Sequence, residues 1–336
     1  MLKNRRVVLK SRPVGIPQAE HFEIQSTDVP EPGPGQFLVK NLYLSVDPAM
    51  RGWVNAAANY SKPVQIGEVM RSFAAGRVLR SNDPKYPEGT LVMGMLGWQE
   101  YAVTDAGAIR RTIRETDLPV SLSLGVLGLN GLTAYFGLST IGQPQAGETV
   151  VVSTAAGAVG SIVGQLARRQ GCRTVGIAGG ATKVRMCLEE FGYDAAIDYR
   201  EPGLEDALLE ACPNGVDVYF DNTSGPISDT VIRYINTRAR IVICGTASIP
   251  SWEPWPDGPR VDRHLLTKRA TMTGFLAFDH EHRYDEAVSH LADMIRKGEL
   301  RYREEILDGL EAAPGSIADL YAGKNLGKRL IRLAHE

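Results

Sequence analysis

The segment Val150–Gly160 carries the strongest chemical signal in the sequence. An apolar run leads into Ser153-Thr-Ala-Ala-Gly157-Ala-Val-Gly160, and a helical pattern begins directly afterwards. Gly157 allows close approach to a ligand, Gly160 lets a helix pack on a strand, and the N–H groups at the helix start attract an anion. The first glycine of the usual fingerprint is Ala155 here. The pattern favours a turn that binds a pyrophosphate, with a plain strand–turn–helix as the alternative.

The residues after the second predicted strand indicate which dinucleotide this turn would hold. An Asp or Glu about 20 residues beyond the glycines would bind the ribose 2′-hydroxyl of NAD. The stretch Gly176-Ile-Ala-Gly-Gly-Ala-Thr-Lys183-Val-Arg185 has no acidic residue there and has two basic ones. We therefore expect a 2′-phosphate and hence NADP(H), with a solvated helix face as the alternative for Lys183 and Arg185.

Few residues of the types that catalyse alcohol oxidation are present. The first 171 residues contain no cysteine, and His21 is the only histidine before residue 264. Asp279-His-Glu-His282 could imitate a metal site, but we expect an exposed loop there. No Tyr-x-x-x-Lys pair occurs. Without zinc to polarise an alcohol oxygen, hydride addition to an activated C=C bond is the favoured reaction, and we predict no metal site.

The predicted elements that position the turn alternate between strand and helix from residue 149 onward. The six strand patterns are Thr149–Ser153, Thr174–Ala178, Ala195–Asp198, Val216–Asn222, Arg240–Gly245 and Thr271–Phe278. Their continuous apolar character is typical of a parallel sheet covered on both faces. We therefore predict a doubly wound α/β domain with a dinucleotide-binding turn after its first strand.

The residues before this domain show a different sequence pattern, in which short β-like runs are separated by Gly and Pro. Such runs indicate a compact β-rich domain. Arg301–Ile306 and Lys328–Leu333 again resemble strands, and we expect this tail to rejoin the first domain. The predicted domains are 1–126 with 299–336, and 127–298.

Composition excludes several classes of function. The 336 residues carry a net charge of −2 from 37 basic and 39 acidic residues. This balance argues against nucleic acid or an anionic membrane as the main partner. The four cysteines form no C-x-x-C pair, and no membrane-spanning run occurs. We expect a cytoplasmic protein that acts on a small molecule.

Short motifs along essentially the whole chain resemble a known family of enzymes. They are Leu44-Ser-Val-Asp-Pro-Ala-Met-Arg51, Gly97-Trp-Gln-Glu-Tyr101, Gly131-Leu-Thr-Ala-Tyr-Phe-Gly-Leu138, Ala155-Ala-Gly-Ala-Val-Gly160, Tyr219-Phe-Asp-Asn222, Ile243-Cys-Gly245 and Asn325-Leu-Gly-Lys328. In this order they resemble zinc-independent medium-chain dehydrogenases/reductases of the prostaglandin reductase and curcumin reductase type. The resemblance implies a GroES-like β-rich catalytic domain, an inserted Rossmann domain, NADPH as cofactor, an α,β-unsaturated ketone or aldehyde as substrate, and a homodimer.

The resemblance also assigns cofactor contacts, residue by residue. It implies contacts to the pyrophosphate from Gly157, Ala158, Val159 and Gly160, and to the adenosine phosphate from Lys183 and Tyr199. For the ribose and nicotinamide it implies Asn222, Cys244, Gly245, Phe275, Leu276 and Asn325. Sheet core is the alternative for Phe275 and Leu276, and turn capping is the alternative for the two asparagines.

Two departures from the family concern the substrate side. Many members have Tyr where Ala49 stands here, and many have a Tyr six residues past the cysteine, where this chain has Pro250. Tyr60 is the best replacement as donor to the enolate oxygen, with solvent as the alternative proton source. Two other functions stay open, a quinone reductase on the same scaffold and a non-catalytic NADPH-binding protein.

Overall fold

The computed structural model describes residues 2–56, 61–249, 254 and 256–334. The chain divides into two units. The first consists of Met1–Gly125 together with Glu304–Glu336, and the second is Val126–Arg303. Each unit has its own sheet system, and each is described by itself below.

The N-terminal part of the first unit is built mainly of short strands. Its elements are β1 (Lys3–Leu9), β2 (Phe22–Asp28), β3 (Gln36–Ser45), α1 (Met50–Trp53), β4 (Ala74–Ser81), β5 (Leu91–Gly94), β6 (Tyr101–Asp105) and β7 (Ile109–Thr112). In β3 the side chains of Phe37, Leu38 and Val39 are fully buried, which makes this strand the centre of the unit's core.

The second unit alternates helix and strand. Its elements are α2 (Leu129–Phe136), β8 (Thr149–Ser153), α3 (Gly160–Arg169), β9 (Arg173–Ala178), α4 (Ala181–Arg185), β10 (Ala195–Asp198), α5 (Leu204–Ala211), β11 (Val216–Asp221), α6 (Gly225–Arg233), β12 (Ile235–Ile243), α7 (Asp262–Lys268), β13 (Thr271–Gly274) and α8 (Tyr284–Arg296). Every residue of β8 is buried, as a central parallel strand requires.

The parallel sheet of the second unit has the order β10-β9-β8-β11-β12-β13. The chain starts in the middle at β8, moves outward to β10, and then crosses to β11 beside β8. This reversal leaves a crevice at the carboxyl ends of β8 and β11, where open α/β sheets bind their ligands. Val151 pairs with Val175 on one side and with Tyr219 on the other, and all three belong to the main core of the unit.

The C-terminal tail returns to the first unit. Its elements are β14 (Glu304–Asp308), α9 (Ala313–Tyr321) and β15 (Lys328–Arg332). β15 pairs antiparallel with the end of β3, where Leu330 lies opposite Ser45. The sheet order is β14-β15-β3-β4-β5-β7, and β6 pairs with the other half of β3. Among the described residues, no helix is long and apolar enough to span a membrane.

Candidate cofactor site

The turn between β8 and α3 has a backbone that only small residues allow. Thr154 has a positive φ of 53°, and its carbonyl oxygen accepts a hydrogen bond of 2.9 Å from the N–H of Gly157. A Cβ on residue 160 would lie 2.4 Å from that same oxygen. Gly160 is therefore required for α3 to begin directly against the end of β8.

The first N–H groups of α3 are available for an anion. Among the described residues, no hydrogen bond uses the N–H of Ala158, Val159 or Gly160, whereas the N–H of Ser161 already donates to the Gly157 carbonyl. Unused donors at the start of a helix, next to its positive end, are suited to a phosphate group. The turn thus fits the pyrophosphate of a dinucleotide.

A second cluster lies at the ends of β9 and β10, where two glycines leave room for large side chains. A Cβ on Gly179 would lie 2.9 Å from both Tyr199 Cε1 and Arg200 Nε. Lys183 is half-buried in α4, the helix that follows Gly180. This cluster combines two cations and a phenol, groups that suit an adenosine phosphate.

The Asp198 carboxylate, at the end of β10, links the two loops that carry this cluster. Asp198 Oδ1 accepts hydrogen bonds from the N–H of Gly180 at 2.9 Å and from the N–H of Arg200 at 3.0 Å. These two hydrogen bonds stabilise the negative charge of Asp198 and link the loop after β9 to the loop after β10. The arrangement fixes the backbone of residues 180 and 200 relative to each other.

A buried carboxylate occupies the centre of the crevice between β8 and β11. Asp221 is 1% exposed. Its Oδ1 accepts from the N–H groups of Thr223 and Ser224 and from the Tyr219 hydroxyl at 2.8–3.0 Å, and its Oδ2 accepts from the Ser228 hydroxyl at 2.5 Å. Several donors compensate the burial of the charge, so the loop after β11 is held rigidly.

Asn222, the next residue, links the two central strands. Its side-chain amide donates to the Ser153 carbonyl at 2.7 Å, and its N–H donates to the Ser153 hydroxyl at 2.9 Å. Gly245 lies close by, since a Cβ there would be 2.9 Å from the Asn222 carbonyl oxygen. The N–H groups of Cys244 and Gly245 both donate to the Asp221 carbonyl, at 2.8 and 3.1 Å. The structure thus brings Asn222, Cys244 and Gly245 together.

The thiol of Cys244 is held in its neutral form. Burial, with the charge of Asp221 as a second cause, raises the pKa of Cys244 to about 12. A thiol with this pKa is protonated throughout the physiological range. Cys244 is therefore a neutral lining group rather than a nucleophile.

The two residues after β13 differ from each other in environment. Phe275 is half-buried, and its ring approaches Gly137, where a Cβ would lie 2.6 Å from Phe275 Cζ. Leu276 is 39% exposed. Both follow Gly274, which lies opposite Ile243 in the register of β12 and β13. The pairing therefore brings them to the same edge of the sheet as Cys244.

The other predicted residues lie elsewhere. Asn325 belongs to the first unit, is 8% exposed, and donates from its side-chain amide to the Gly327 carbonyl at 2.8 Å. Tyr60 and Pro250 lie outside the described residues. Their predicted roles therefore stay predictions.

The prediction of a loop at Asp279–His282 is wrong, because these residues form part of a 3-10 helix, Ala277–Arg283, although all of them except His280 are exposed as predicted. The His280 ring stacks on Phe136 at a centroid distance of 4.7 Å, which explains why the segment is folded against the domain. Among the described residues, no group of three or more His, Cys, Asp and Glu side chains is arranged to hold a metal ion.

Sequence reasoning missed Asp221 and Arg200. Asp221 lies inside a motif that resembled the family, but its donors converge on it only once β11, the loop after it and α6 have formed. Arg200 follows Tyr199 directly, so a search for basic residues at the end of the third strand as well as the second would have found it.

Two family models match the chain. Residues 5–112 match the model described as the N-terminal domain of oxidoreductases. Residues 158–293 match the model described as zinc-binding dehydrogenase. The second match begins at Ala158, after Gly157 of the turn, and includes α3, the cluster at the ends of β9 and β10, and Asp221.

Several characterised proteins are similar to this chain from end to end. The NADPH-dependent curcumin reductase of Escherichia coli is 43% identical over 99% of this chain and 97% of its own length. The NADP-dependent 2-alkenal reductase of Nicotiana tabacum is 38% identical over 100% of this chain and 99% of its own length. Prostaglandin reductase 1 of Rattus norvegicus is 38% identical over 99% of this chain and 100% of its own length.

One solved structure is similar to this chain over its whole length. CurA from Vibrio vulnificus in complex with NADPH superposes with a TM-score of 0.93 at 40% identity, covering 99% of this chain and 100% of that one. With this similarity over essentially its whole length, the chain belongs to the medium-chain dehydrogenase/reductase family, in the branch of the curcumin, 2-alkenal and prostaglandin reductases.

Proposed function

We propose that this protein is an NADPH-dependent oxidoreductase that reduces the C=C bond of α,β-unsaturated ketones and aldehydes. The observation that carries the proposal is the similarity, over essentially the whole chain, to reductases that use NADPH, one of which is named for 2-alkenals. A 2-alkenal has a C=C bond conjugated to a carbonyl group, so an electron sink is already part of the substrate. No strong Lewis acid is then required to make the β-carbon electrophilic.

The residues of the second unit are suited to binding and orienting this cofactor. NADPH, when bound, supplies the hydride that adds to the β-carbon. The free N–H groups of Ala158, Val159 and Gly160 would hold its pyrophosphate. Lys183, Tyr199 and, in addition, Arg200 would hold the adenosine phosphate, because two cations suit a dianion. Asn222, Cys244, Gly245, Phe275 and Leu276 would then line the ribose and nicotinamide.

Cys244 has a further consequence for an enzyme that handles enones. Thiolates add readily to the same β-carbon that receives hydride. Since its raised pKa keeps the Cys244 thiol protonated, the residue can line the cofactor site without being alkylated by the substrate.

The proton that completes the reaction must reach the α-carbon, and the enolate oxygen needs a donor while its charge develops. We propose the Tyr60 hydroxyl as this donor, because the family tyrosine is replaced by Pro250. A phenol is protonated at neutral pH and can donate to an oxyanion. Solvent water is the competing source.

We further propose a zinc-independent, cytoplasmic homodimer. The early part of the chain has none of the cysteines of a zinc dehydrogenase, and the described cysteines are free thiols. Association through β13 is supported by its place at the edge of the sheet and by the exposure of Leu266 and Met272, at 78% and 36%. An edge strand with apolar neighbours can pair with a second copy.

One assay separates the candidate functions. Oxidation of NADPH is followed with a 2-alkenal, with a cyclic enone and with a simple quinone, each with and without a chelator. We expect turnover of the first two that survives chelation. Turnover of the quinone alone would favour the quinone reductase. If no enone oxidises enzyme-bound NADPH in a single-turnover mixing experiment, a non-catalytic NADPH-binding protein is the better description.

A further inference from the structure

A buried ion pair in the first unit joins the C-terminal tail to the end of β3. Lys328 opens β15, and Asp47 follows β3 by two residues, with side chains 5% and 9% exposed. The Lys328 ammonium donates to Asp47 Oδ1 at 2.5 Å, to the Ser45 hydroxyl at 2.7 Å and to the Val46 carbonyl at 3.0 Å. An ammonium has three donors, so all of them are used.

The polar groups around the Asp47 carboxylate are also hydrogen-bonded. The Ser45 hydroxyl donates to Asp47 Oδ2. The Ser45 carbonyl accepts from the Trp98 indole at 3.0 Å and from the Ser72 hydroxyl at 2.9 Å. A buried ion pair gives a fixed geometry only when its remaining donors and acceptors are satisfied, as they are here. The pair therefore fixes the start of β15 relative to the end of β3, although the two segments are far apart in sequence.

Two more contacts bind the same tail to the residues that follow Asp47. The Tyr321 hydroxyl, at the end of α9, donates to the Pro48 carbonyl at 3.0 Å. The guanidinium of Arg51 lies over the Tyr321 ring, 5.3 Å from its centroid, and Arg51 is only 4% exposed. Tail residues 321–328 thus hold the turn that leads into α1.

The ion pair does more than the strand pairing requires. Backbone hydrogen bonds already align β15 with β3 at Leu330 and Ser45. Arg329, the next residue of β15, also has a side chain that is 5% exposed, and it forms its own ion pairs with Glu305 at 2.7 Å and with Asp319 of α9 at 3.4 Å. Neighbouring residues of a strand point to opposite faces. The ion pairs of Arg329 therefore link β15 to β14 and α9, and neither partner belongs to the turn after β3.

We propose that Lys328 and Asp47 are positioning residues for the enone reaction. Their ion pair fixes two segments at once, the turn Pro48–Arg51, which leads to the predicted substrate side, and the tail segment with Asn325, the predicted nicotinamide contact. The inference rests on the proposed function. Hydride transfer needs the reacting carbon in near-attack geometry, and a displacement of about 1 Å can cost about 10²-fold in rate.

The test compares Lys328→Met with Arg329→Met, two changes that each remove a buried cation from the same strand. We expect both to lower Tm. Only Lys328→Met should lower kcat/KM for a 2-alkenal by a further factor of about 10 to 100. It should also raise the primary isotope effect measured with 4-deuterated NADPH, because hydride transfer becomes slower than the other steps. Binding of 2′,5′-ADP, which probes the second unit alone, should stay within about twofold of wild type.

Two more variants keep the test decisive if Lys328→Met is insoluble. Asp47→Asn keeps the size and one acceptor, and should reproduce the kinetic defect. Lys328→Arg keeps the charge, and should restore part of kcat. Equal losses of kcat/KM in the Lys328 and Arg329 variants, or an unchanged isotope effect, would show that the pair has a structural role only. A wild-type protein that reduces no enone would instead overturn the proposed function and, with it, this inference.

Discussion

The phenol of Tyr193 donates a hydrogen bond of 2.6 Å to the carbonyl oxygen of Gly160, the first residue of α3. The ring fits beneath the helix because residue 164 has no side chain, since a Cβ there would lie 2.2 Å from Tyr193 Cζ. On the sheet side, a Cβ on Gly176 would lie 3.3 Å from the ring. This pair of glycines around one aromatic ring sets the distance between α3 and the sheet at the phosphate-binding turn.

Gly164→Ala should therefore destabilise the second unit. The Tyr193 ring is fully packed and cannot move aside, so we expect a loss of about 1–3 kcal/mol, typical of overpacking. NADPH affinity should fall as well, because the start of α3 shifts. Thermal unfolding and fluorescence titration with NADPH measure the two effects.

Gly315→Ala is the matched control for this change. Gly315 is also helical, and its Cβ would meet only Ala19 Cβ at 4.0 Å. Alanine is the better helix former by up to about 1 kcal/mol, so this variant should be neutral or more stable. If both variants unfold at the same temperature, the contact between Gly164 and Tyr193 does not limit the packing of α3.

Lys183→Ala should raise the KM for NADPH while leaving the kinetics with NADH almost unchanged. A hydrogen bond to a charged group is worth about 1.5–3 kcal/mol. This corresponds to roughly a 10- to 150-fold increase in KM. Arg185→Ala is the control, because Arg185 is exposed and residues two apart on a helix face different directions. Equal losses with NADPH and NADH would contradict the phosphate assignment.

Arg200→Ala tests the residue that sequence reasoning missed. Its guanidinium lies beside Gly179 and Tyr199, so we expect an increase in the NADPH KM of roughly tenfold, the lower end for a charged contact at an exposed site. Arg200→Lys should recover only part of the loss, since an ammonium cannot bind a phosphate in bidentate fashion. If NADPH and NADH respond alike, Arg200 only supports the loop.

Tyr60→Phe keeps the ring and removes the hydroxyl. If this phenol donates its proton in the transition state, turnover of an enone should fall about 10²-fold or more, while the affinity for NADPH stays the same. Turnover is measured across the neutral pH range with saturating cofactor. A loss below about threefold would exclude Tyr60 as the donor and leave water as the proton source.

The four thiols should resist alkylation in the native protein. Burial raises the pKa of Cys172 and Cys212 to about 11, and of Cys187 and Cys244 to about 12. At pH 8 the thiolate fraction is then on the order of 10⁻³ or less. Mass spectrometry after incubation with iodoacetamide or with a 2-alkenal should find intact cysteines, and four modified ones after unfolding. Rapid modification of native Cys244 would contradict the assignment of a neutral thiol.

The same pKa values predict how stability depends on pH. The neutral thiols are favoured in the folded state, whose pKa values exceed the value of 9.0 expected after unfolding. Their contribution to stability is fully present below about pH 9. It is lost between about pH 9 and 12, because the unfolded chain releases these protons first. Chemical denaturation at several pH values, with and without the Cys187→Ala substitution, would measure this loss.

Most strands of the fold could be predicted from hydrophobic pattern alone. Thr149–Ser153 and Ala195–Asp198 are confirmed to the residue, because each is an apolar run ended by turn-forming residues. β2 has no such pattern, because Phe22, its first residue, is its only buried residue and the strand has no apolar face.

Other strand ends depend on contacts that no local pattern shows. β12 begins at Ile235 rather than Arg240, because polar exposed residues occupy its first half. The last strand of the sheet ends at Gly274 rather than Phe278. There the Asp279 carboxylate accepts from the N–H of Leu276 at 3.3 Å and turns the chain into a 3-10 helix.

In the candidate site too, features set by neighbouring residues could be predicted, and features set by residues far apart in sequence could not. The turn at Gly157 and Gly160 is local, so spacing alone predicts it. The role of Asp221 depends in part on the hydroxyls of Ser153 and Ser228, which meet it only after β8, β11 and α6 have packed. Sequence reasoning finds donors and acceptors that are neighbours along the chain, and misses those that the fold brings together.

The return of the tail to the first unit has a consequence for synthesis in the cell. β15 pairs with the end of β3, yet it leaves the ribosome roughly 280 residues later, which is about 15–60 s at ordinary rates of translation. During this interval the second unit, which is continuous in sequence, can complete its sheet. The half of β3 from Tyr43 to Ser45 meanwhile lacks its partner strand. We expect the nascent chain to depend on chaperones until Lys328 has been synthesised and can reach Asp47.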